Sequence, residues 1–200
     1  IVRCVYYTDI ESFANDRFRS QSYHDAVLLI DAIQTYRKNN RAYDEIRHRY
    51  HAYLAFSKSQ QTSSYDLLIN ETIAELNQYE QSRTSDIRAF VDLLKSKNRY
   101  SRIIKLLIPF LSLDKDFKKL AIDGVVNVVL KKDDDVKNPK RLSEFCSDSS
   151  LCKDAANELV SLSASSAKKS DYKTSVLFDS FASEYFSSDN QFSNTRCVHV

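Results

Sequence analysis

The sequence predicts an all-α fold, an irregular bundle of about nine to ten helices, and three observations carry that expectation. One Gly and two Pro in 200 residues is the first. Parallel α/β enzymes, phosphate-cradling loops and β-hairpins all use Gly for positive φ or close backbone approach, and Gly124 alone cannot serve them. The second is helical periodicity, apolar at i, i+3 and i+4, in segment after segment. The third is the stretch Ser101–Leu113, apolar at Ile103, Ile104, Leu106, Leu107, Ile108, Phe110, Leu111 and Leu113. Only a stripe of Arg102, Lys105, Pro109 and Ser112 is left over. A helix with so thin a polar stripe is covered on most sides, which places 101–113 at the centre of the bundle.

In chain order, residues 1–19 read as a first helix with Val5, Tyr6, Ile10, Phe13, Ala14 and Phe18 on one side. Ser22 reads as the N-cap of a second, which buries Ala26, Leu29, Ile30 and Ile33. After a turn at 39–41, residues 42–56 present Tyr43, Ile46, Tyr50, Tyr53 and Leu54 at i, i+3, i+7, i+10 and i+11. A polar loop leads to a helix carrying Leu68, Ile69, Ile73 and Leu76, and Thr84 or Ser85 opens one carrying Ile87, Phe90, Val91 and Leu94. Beyond the central helix, DFKKLAIDGVVNVVLKK has a Val-rich end that a strand would also suit. It is read as helix because no second β signal exists to pair with it. Residues 131–140 are the longest polar, turn-rich stretch. They mark a sub-boundary within a single 1–200 domain, ahead of a smaller helical part, 141–200, of one short and two longer helices. Tyr recurs at helix starts (Tyr23, Tyr65, Tyr100, Tyr172), but no fixed repeat period emerges, so no solenoid is expected.

Lys plus Arg number 29 and Asp plus Glu 27, a formal net charge of +2. Such balance argues neither for a nucleic-acid binder nor for an enzyme of acidic substrates. No apolar run approaches the length of a membrane span. The chain has no Met and starts at Ile1. This predicts removal of the initiator end, by cleavage of a secretory signal; an excised domain or an incomplete sequence gives the same pattern. The four cysteines, Cys4, Cys146, Cys152 and Cys197, are an even number and favour an oxidising compartment. Cys146 and Cys152 in one continuous helix would lie about 9 Å apart along the axis. A bridge between them therefore needs a chain turn at 147–150. Cys4 with Cys197 would tie the two ends together, although four cysteines allow three pairings. A zinc site has no CxxC to support it. The ending Cys197-Val-His-Val fits a prenylation box poorly.

Arg37, Lys38, Arg41, Arg47, His48, Arg49 and His51 make residues 37–51 the most basic patch, a candidate grip for an anion or an acidic partner surface. Asp44 and Glu45 dilute it, and a solvated helix face is the plainer meaning. Glu45, His48 and His51 at i, i+3 and i+6 are half of a di-iron carboxylate pattern whose second half is missing, so no metal or cofactor is expected. Asn70-Glu71-Thr72 is an N-glycosylation acceptor triplet inside a predicted helix. No catalytic motif of hydrolase, metalloprotease or nucleotide-binding type is present.

These features predict a secreted, non-enzymatic helical binding protein, stapled by disulfides, that acts through protein–protein interaction with an extracellular or host factor. The alternative is a carrier of a hydrophobic, lipid-like small molecule, in a cavity lined by the central helix and some of the 11 Phe and 12 Tyr. A third reading, a cytoplasmic helical-repeat scaffold, requires free thiols.

Overall fold

The computed structural model describes residues 7–37, 39–62, 65–130, 132–133 and 149–185. Among them are nine α-helices and no strand. They are α1 (Tyr7–Arg19), α2 (Tyr23–Ala32), α3 (Arg41–Ser59), α4 (Tyr65–Leu76), α5 (Arg83–Ser96), α6 (Tyr100–Leu107), α7 (Lys115–Val129), α8 (Ser149–Lys168) and α9 (Tyr172–Tyr185). Short 3-10 turns occupy Gln34–Arg37 and Ile108–Phe110. The Val-rich run is helical, closing α7 with Val125, Val128 and Val129 buried. No described helix is long and apolar enough to cross a membrane.

A chain nearly free of Gly still has to stop its helices. It does so with polar residues in the left-handed region: Gln21 (φ 63°), Asn98 (φ 51°) and Ser170 (φ 61°). Around each, two backbone bonds close the helix end. Ser22 N reaches Arg17 O and Gln21 N reaches Phe18 O; Arg99 N reaches Leu94 O and Asn98 N reaches Lys95 O; Asp171 N reaches Ser166 O and Ser170 N reaches Ala167 O. This is the Schellman arrangement, in which Gly is the usual residue because a Cβ is disfavoured there.

The described chain groups into two compact units, 1–90 and 91–200, divided within α5. In the first, α1 packs on α2, α2 on α3 and α3 on α4. One core of this unit gathers Ala14, Ala26, Val27, Ile30, Ile33, Tyr43 and Tyr50. In the second, α6 packs on α7, α7 on α8 and α8 on α9. Its core gathers Ile104, Val125, Val128, Val129, Ala155, Ala156, Leu159, Phe178, Phe181 and Ala182. Within α8, Ala155 and Ala156 are buried between the bulkier Leu151 and Leu159. Ser163 Oγ lies 3.0 Å from Ser175 Oγ and 3.1 Å from Ser175 O, so the α8–α9 contact holds a satisfied buried hydroxyl pair. The sub-boundary expected at 131–140 and the short helix expected near 141–148 fall almost wholly outside the described residues.

Four local expectations are corrected. The apolar helix expected over 101–113 ends at Leu107 and tightens into the 3-10 turn, because Pro109 has no N–H to donate to Lys105 and its ring crowds that carbonyl. Arg102, assigned to the polar stripe, is only 2 % exposed. Ile46, assigned to the inner face of α3, is 45 % exposed. Ser22 occupies the N-cap position of α2 but its side chain makes no cap bond.

Helix α3, by contrast, is capped by Asn40, whose Oδ1 accepts from Tyr43 N at 3.2 Å. Asn40→Ala is expected to cost about 1 kcal/mol, and Asn40→Asp to retain most of the stability. Urea denaturation of the two variants checks this; equal losses would mean the cap contributes nothing.

Candidate functional site

The basic stretch maps onto the turn before α3 and onto α3 itself, whose sequence alternates aromatic and charged positions. Tyr43, Tyr50 and Phe56 are buried, which turns Arg47, His48, Arg49 and His51 toward the margins between α3 and its neighbours. Each described cation of the stretch meets a carboxylate. Arg37 Nε donates to Glu11 Oε1 at 2.5 Å and Arg47 Nε to Asp31 Oδ1 at 2.7 Å. His51 Nε2 lies 3.0 and 3.1 Å from the two oxygens of the same Asp31. His48 Nδ1 lies 2.7 Å from Glu75 Oε2. Arg41 reaches Glu45 at 3.0 Å and Glu80 at 3.5 Å. Lys38 lies outside the described residues.

The described cations of the patch are therefore matched, one by one, with acids drawn from α1, α2, α3, α4 and α5 and from the segment after α4. Pairing reduces the net field that an incoming anion would meet. Arg41 stands apart: its side chain is 80 % exposed, whereas those of Arg37, Arg47, His48 and His51 are three-quarters covered or nearly so. Glu45, His48 and His51, which share a face in sequence, each engage a different partner. Among the described residues no group of three or more His, Cys, Asp or Glu could hold a metal ion.

Arg49, the remaining described cation of the stretch, pairs with an acid that no sequence pattern marks. Asp86, in the first turn of α5, is almost wholly buried and accepts four hydrogen bonds. Oδ1 receives Arg49 Nη2 at 2.9 Å and Tyr53 Oη at 2.9 Å; Oδ2 receives Arg49 Nε at 2.8 Å and Tyr79 Oη at 3.0 Å. The Arg49 guanidinium also lies 5.3 Å from the centre of the Phe18 ring and 5.8 Å from that of Tyr53. Burial pushes the Tyr53 and Tyr79 phenols up, and the Asp86 charge pushes them further. For Arg49, burial pulls down but the bonds and charge of Asp86 more than offset it, so the net shift is upward.

A carboxylate with four donors has no oxygen left over for general-base work, and its phenols stay protonated. The arrangement fastens α3, α5 and the segment between α4 and α5 together. Around it Phe18 stacks on Tyr50 at 4.4 Å, and Tyr53 meets Phe90 edge-on at 4.7 Å. In sequence Asp86 reads only as an acid at a helix start; nothing local flags its burial.

Two clefts flank α3. One, of about 300 Å³, opens at the α1–α2 turn and is lined by Gln21, Ser22, His24, Asp25, Ser57 and Lys58 among others. The second, of about 210 Å³, lies between α3 and α4, with His51, Lys58, Glu71 and Glu75 on its walls. Both are open, and their walls mix polar groups with apolar ones, Leu54 bordering each. Large apolar side chains stand out of the same unit: Tyr36 is 76 % exposed, and Phe13, Leu28 and Leu67 are each more than half exposed. In the other unit Tyr172 and Val176 are two-thirds exposed, one turn apart on α9.

Of the remaining expected site residues, Asn70 is exposed on α4. Cys152 is half-buried on α8 against the core of its unit. Cys4, Cys146 and Cys197 lie outside the described residues. No protein-family model matches the chain, and no curated protein or solved structure matches it either.

Proposed function

We propose that the chain is a non-enzymatic helical binding protein of the extracellular space, stapled by disulfides among Cys4, Cys146, Cys152 and Cys197, that works by contact with a protein partner. The observation that carries this reading is the pair Tyr36 and Arg41. They flank the turn into α3, and both side chains are more than three-quarters exposed. Tyr and Arg are the residue types that most often anchor protein interfaces, since each combines a large contact area with polar reach. The α3 charges support the same reading: they already join helices, and the clefts beside α3 are open, whereas a lipid tail needs an enclosed cavity.

Cross-linking in the extracellular fluid of the source, followed by affinity measurement on the captured protein, tests it. Tyr36→Ala is expected to weaken that affinity about 30-fold and Arg41→Ala about 10-fold, each with unchanged helical circular dichroism. Unaltered affinity in both variants would remove the site. Uptake of a fluorescent lipid probe displaced by fatty acid would point to the carrier. Free thiols at all four cysteines would point to the intracellular scaffold.

A further inference from the structure

We infer that Asn70 carries an N-linked oligosaccharide that covers the outer face of α4, an inference that rests on the secretory reading above. Asn70-Glu71-Thr72 is the only Asn-x-Ser/Thr triplet in the 200 residues. Its two defining residues are poor choices for the places they occupy. Asn70 sits in the middle of α4, exposed, where Asn is among the weaker helix formers. Thr72 is fully buried, and its Oγ1 turns back 2.7 Å to Leu68 O. A valine would fill that space without a hydroxyl that has to be satisfied inside the helix, and such back-bonding slightly destabilises a helix. Packing therefore asks for an aliphatic residue at 72, and helix formation asks for Ala, Glu or Lys at 70. The acceptor triplet asks for the residues present.

The surroundings fit the same occupant. Leu67, Asn70, Glu71 and Ala74 fall at i, i+3, i+4 and i+7, one face of α4, and all four are exposed. Leu67 is 67 % exposed, an apolar side chain within one turn of Asn70 that the first sugar residues would shield. Glu71 and Ala74 also border the α3–α4 cleft, where Lys58 and Glu75 offer polar groups to a sugar.

The transfer is a substitution at an anomeric carbon. Asn70 Nδ2 bonds to C1 of a lipid-pyrophosphate-linked oligosaccharide as the C1–O bond to pyrophosphate breaks. The lipid pyrophosphate leaves and the amide proton passes to a base of the transferase. The acceptor must be extended, with its hydroxyl accessible, and α4 allows neither. Modification therefore precedes the folding of α4.

Translation of the full chain, with an added cleavable signal and a control acceptor tag, in the presence of microsomes tests this. One glycosidase-sensitive size step beyond that of the tag is expected. It should be absent in Asn70→Gln and Thr72→Val, retained in Thr72→Ser, and absent when the folded chain is offered to the transferase. A modified tag with no step at Asn70 overturns this inference alone. Free thiols in the native protein overturn it together with the secretory reading. Thr72→Val is expected to melt at or above the wild-type temperature. A lower melting temperature would return the hydroxyl to a structural role and overturn the argument from Thr72.

Discussion

Asp86→Ala is expected to destabilise the chain by about 3–5 kcal/mol, enough to lower the melting temperature by roughly 10 °C or more. The carboxylate alone satisfies the Arg49 guanidinium and the Tyr53 and Tyr79 hydroxyls. Its removal leaves the buried Tyr79 hydroxyl without that acceptor, and takes the same partner from a half-buried Tyr53 and from Arg49, whose side chain is 34 % exposed. Asp86→Asn keeps the shape and one acceptor oxygen but removes the charge, and should fall between. The informative comparison is Asp86→Leu with Arg49→Met. Removing both charges together should cost far less than the sum of the two single changes, because the large term is the orphaned partner and not the pair itself.

Urea denaturation of the wild type and these variants decides it; a loss under about 0.5 kcal/mol for Asp86→Ala would mean water already reaches the site. The phenols add a pH signature. Their folded pKa values are raised, so their contribution is full below the ordinary phenol range near pH 10 and is lost as pH rises through the folded values. Tyrosinate absorbance at high pH should therefore show a late step coincident with unfolding in the wild type, and an earlier one in Asp86→Ala.

What could be read from the chain follows from how far each physical cause reaches along it. The all-α class rested on amphipathic repeats and on the scarcity of Gly, both of them local, and the described residues are helical throughout their regular structure. Element ends were harder. Gln21, Asn98 and Ser170 terminate helices in a conformation normally signalled by Gly, so the usual mark was missing. Pro109 falls on the polar stripe, where the carbonyl it frees can meet water, yet the lost hydrogen bond still ends the helix at Leu107.

The basic stretch shows the limit most clearly. Its residues could be picked out, but the acids that engage them, the near neighbour Glu45 aside, lie between 16 and 39 residues away. Whether Arg49 greets a partner or is tied to Asp86 depends on helix packing that no local pattern encodes. Arg102 repeats the point: one polar residue on an apolar helix reads as a solvent stripe, yet it is buried in the fold.

The other large effect is expected where α6 and α7 meet. Gly124 lies in the interior of α7, where Ala would be favoured by about 1 kcal/mol on helix propensity. A Cβ there would stand 3.0 Å from Ile104 Cγ1 and 3.4 Å from Tyr100 O. Ile104 is fully buried among the core of its unit, so it has little freedom to yield. Overpacking of this kind costs roughly 1–3 kcal/mol, so Gly124→Ala should destabilise the protein by about 1 kcal/mol net, and Gly124→Leu by several times that.

The sign should depend on the neighbour. Ile104→Ala removes the crowding atoms and itself costs about 2–5 kcal/mol through the cavity it leaves. In that background the added methyl fills space and the propensity gain survives, so Gly124→Ala should stabilise. A double-mutant cycle by urea denaturation therefore predicts a reversal of sign, a coupling of about 2 kcal/mol between positions 104 and 124. Simple additivity would show that α6 and α7 do not approach as closely as these atoms require, and the absence of a side chain at 124 would lose its explanation.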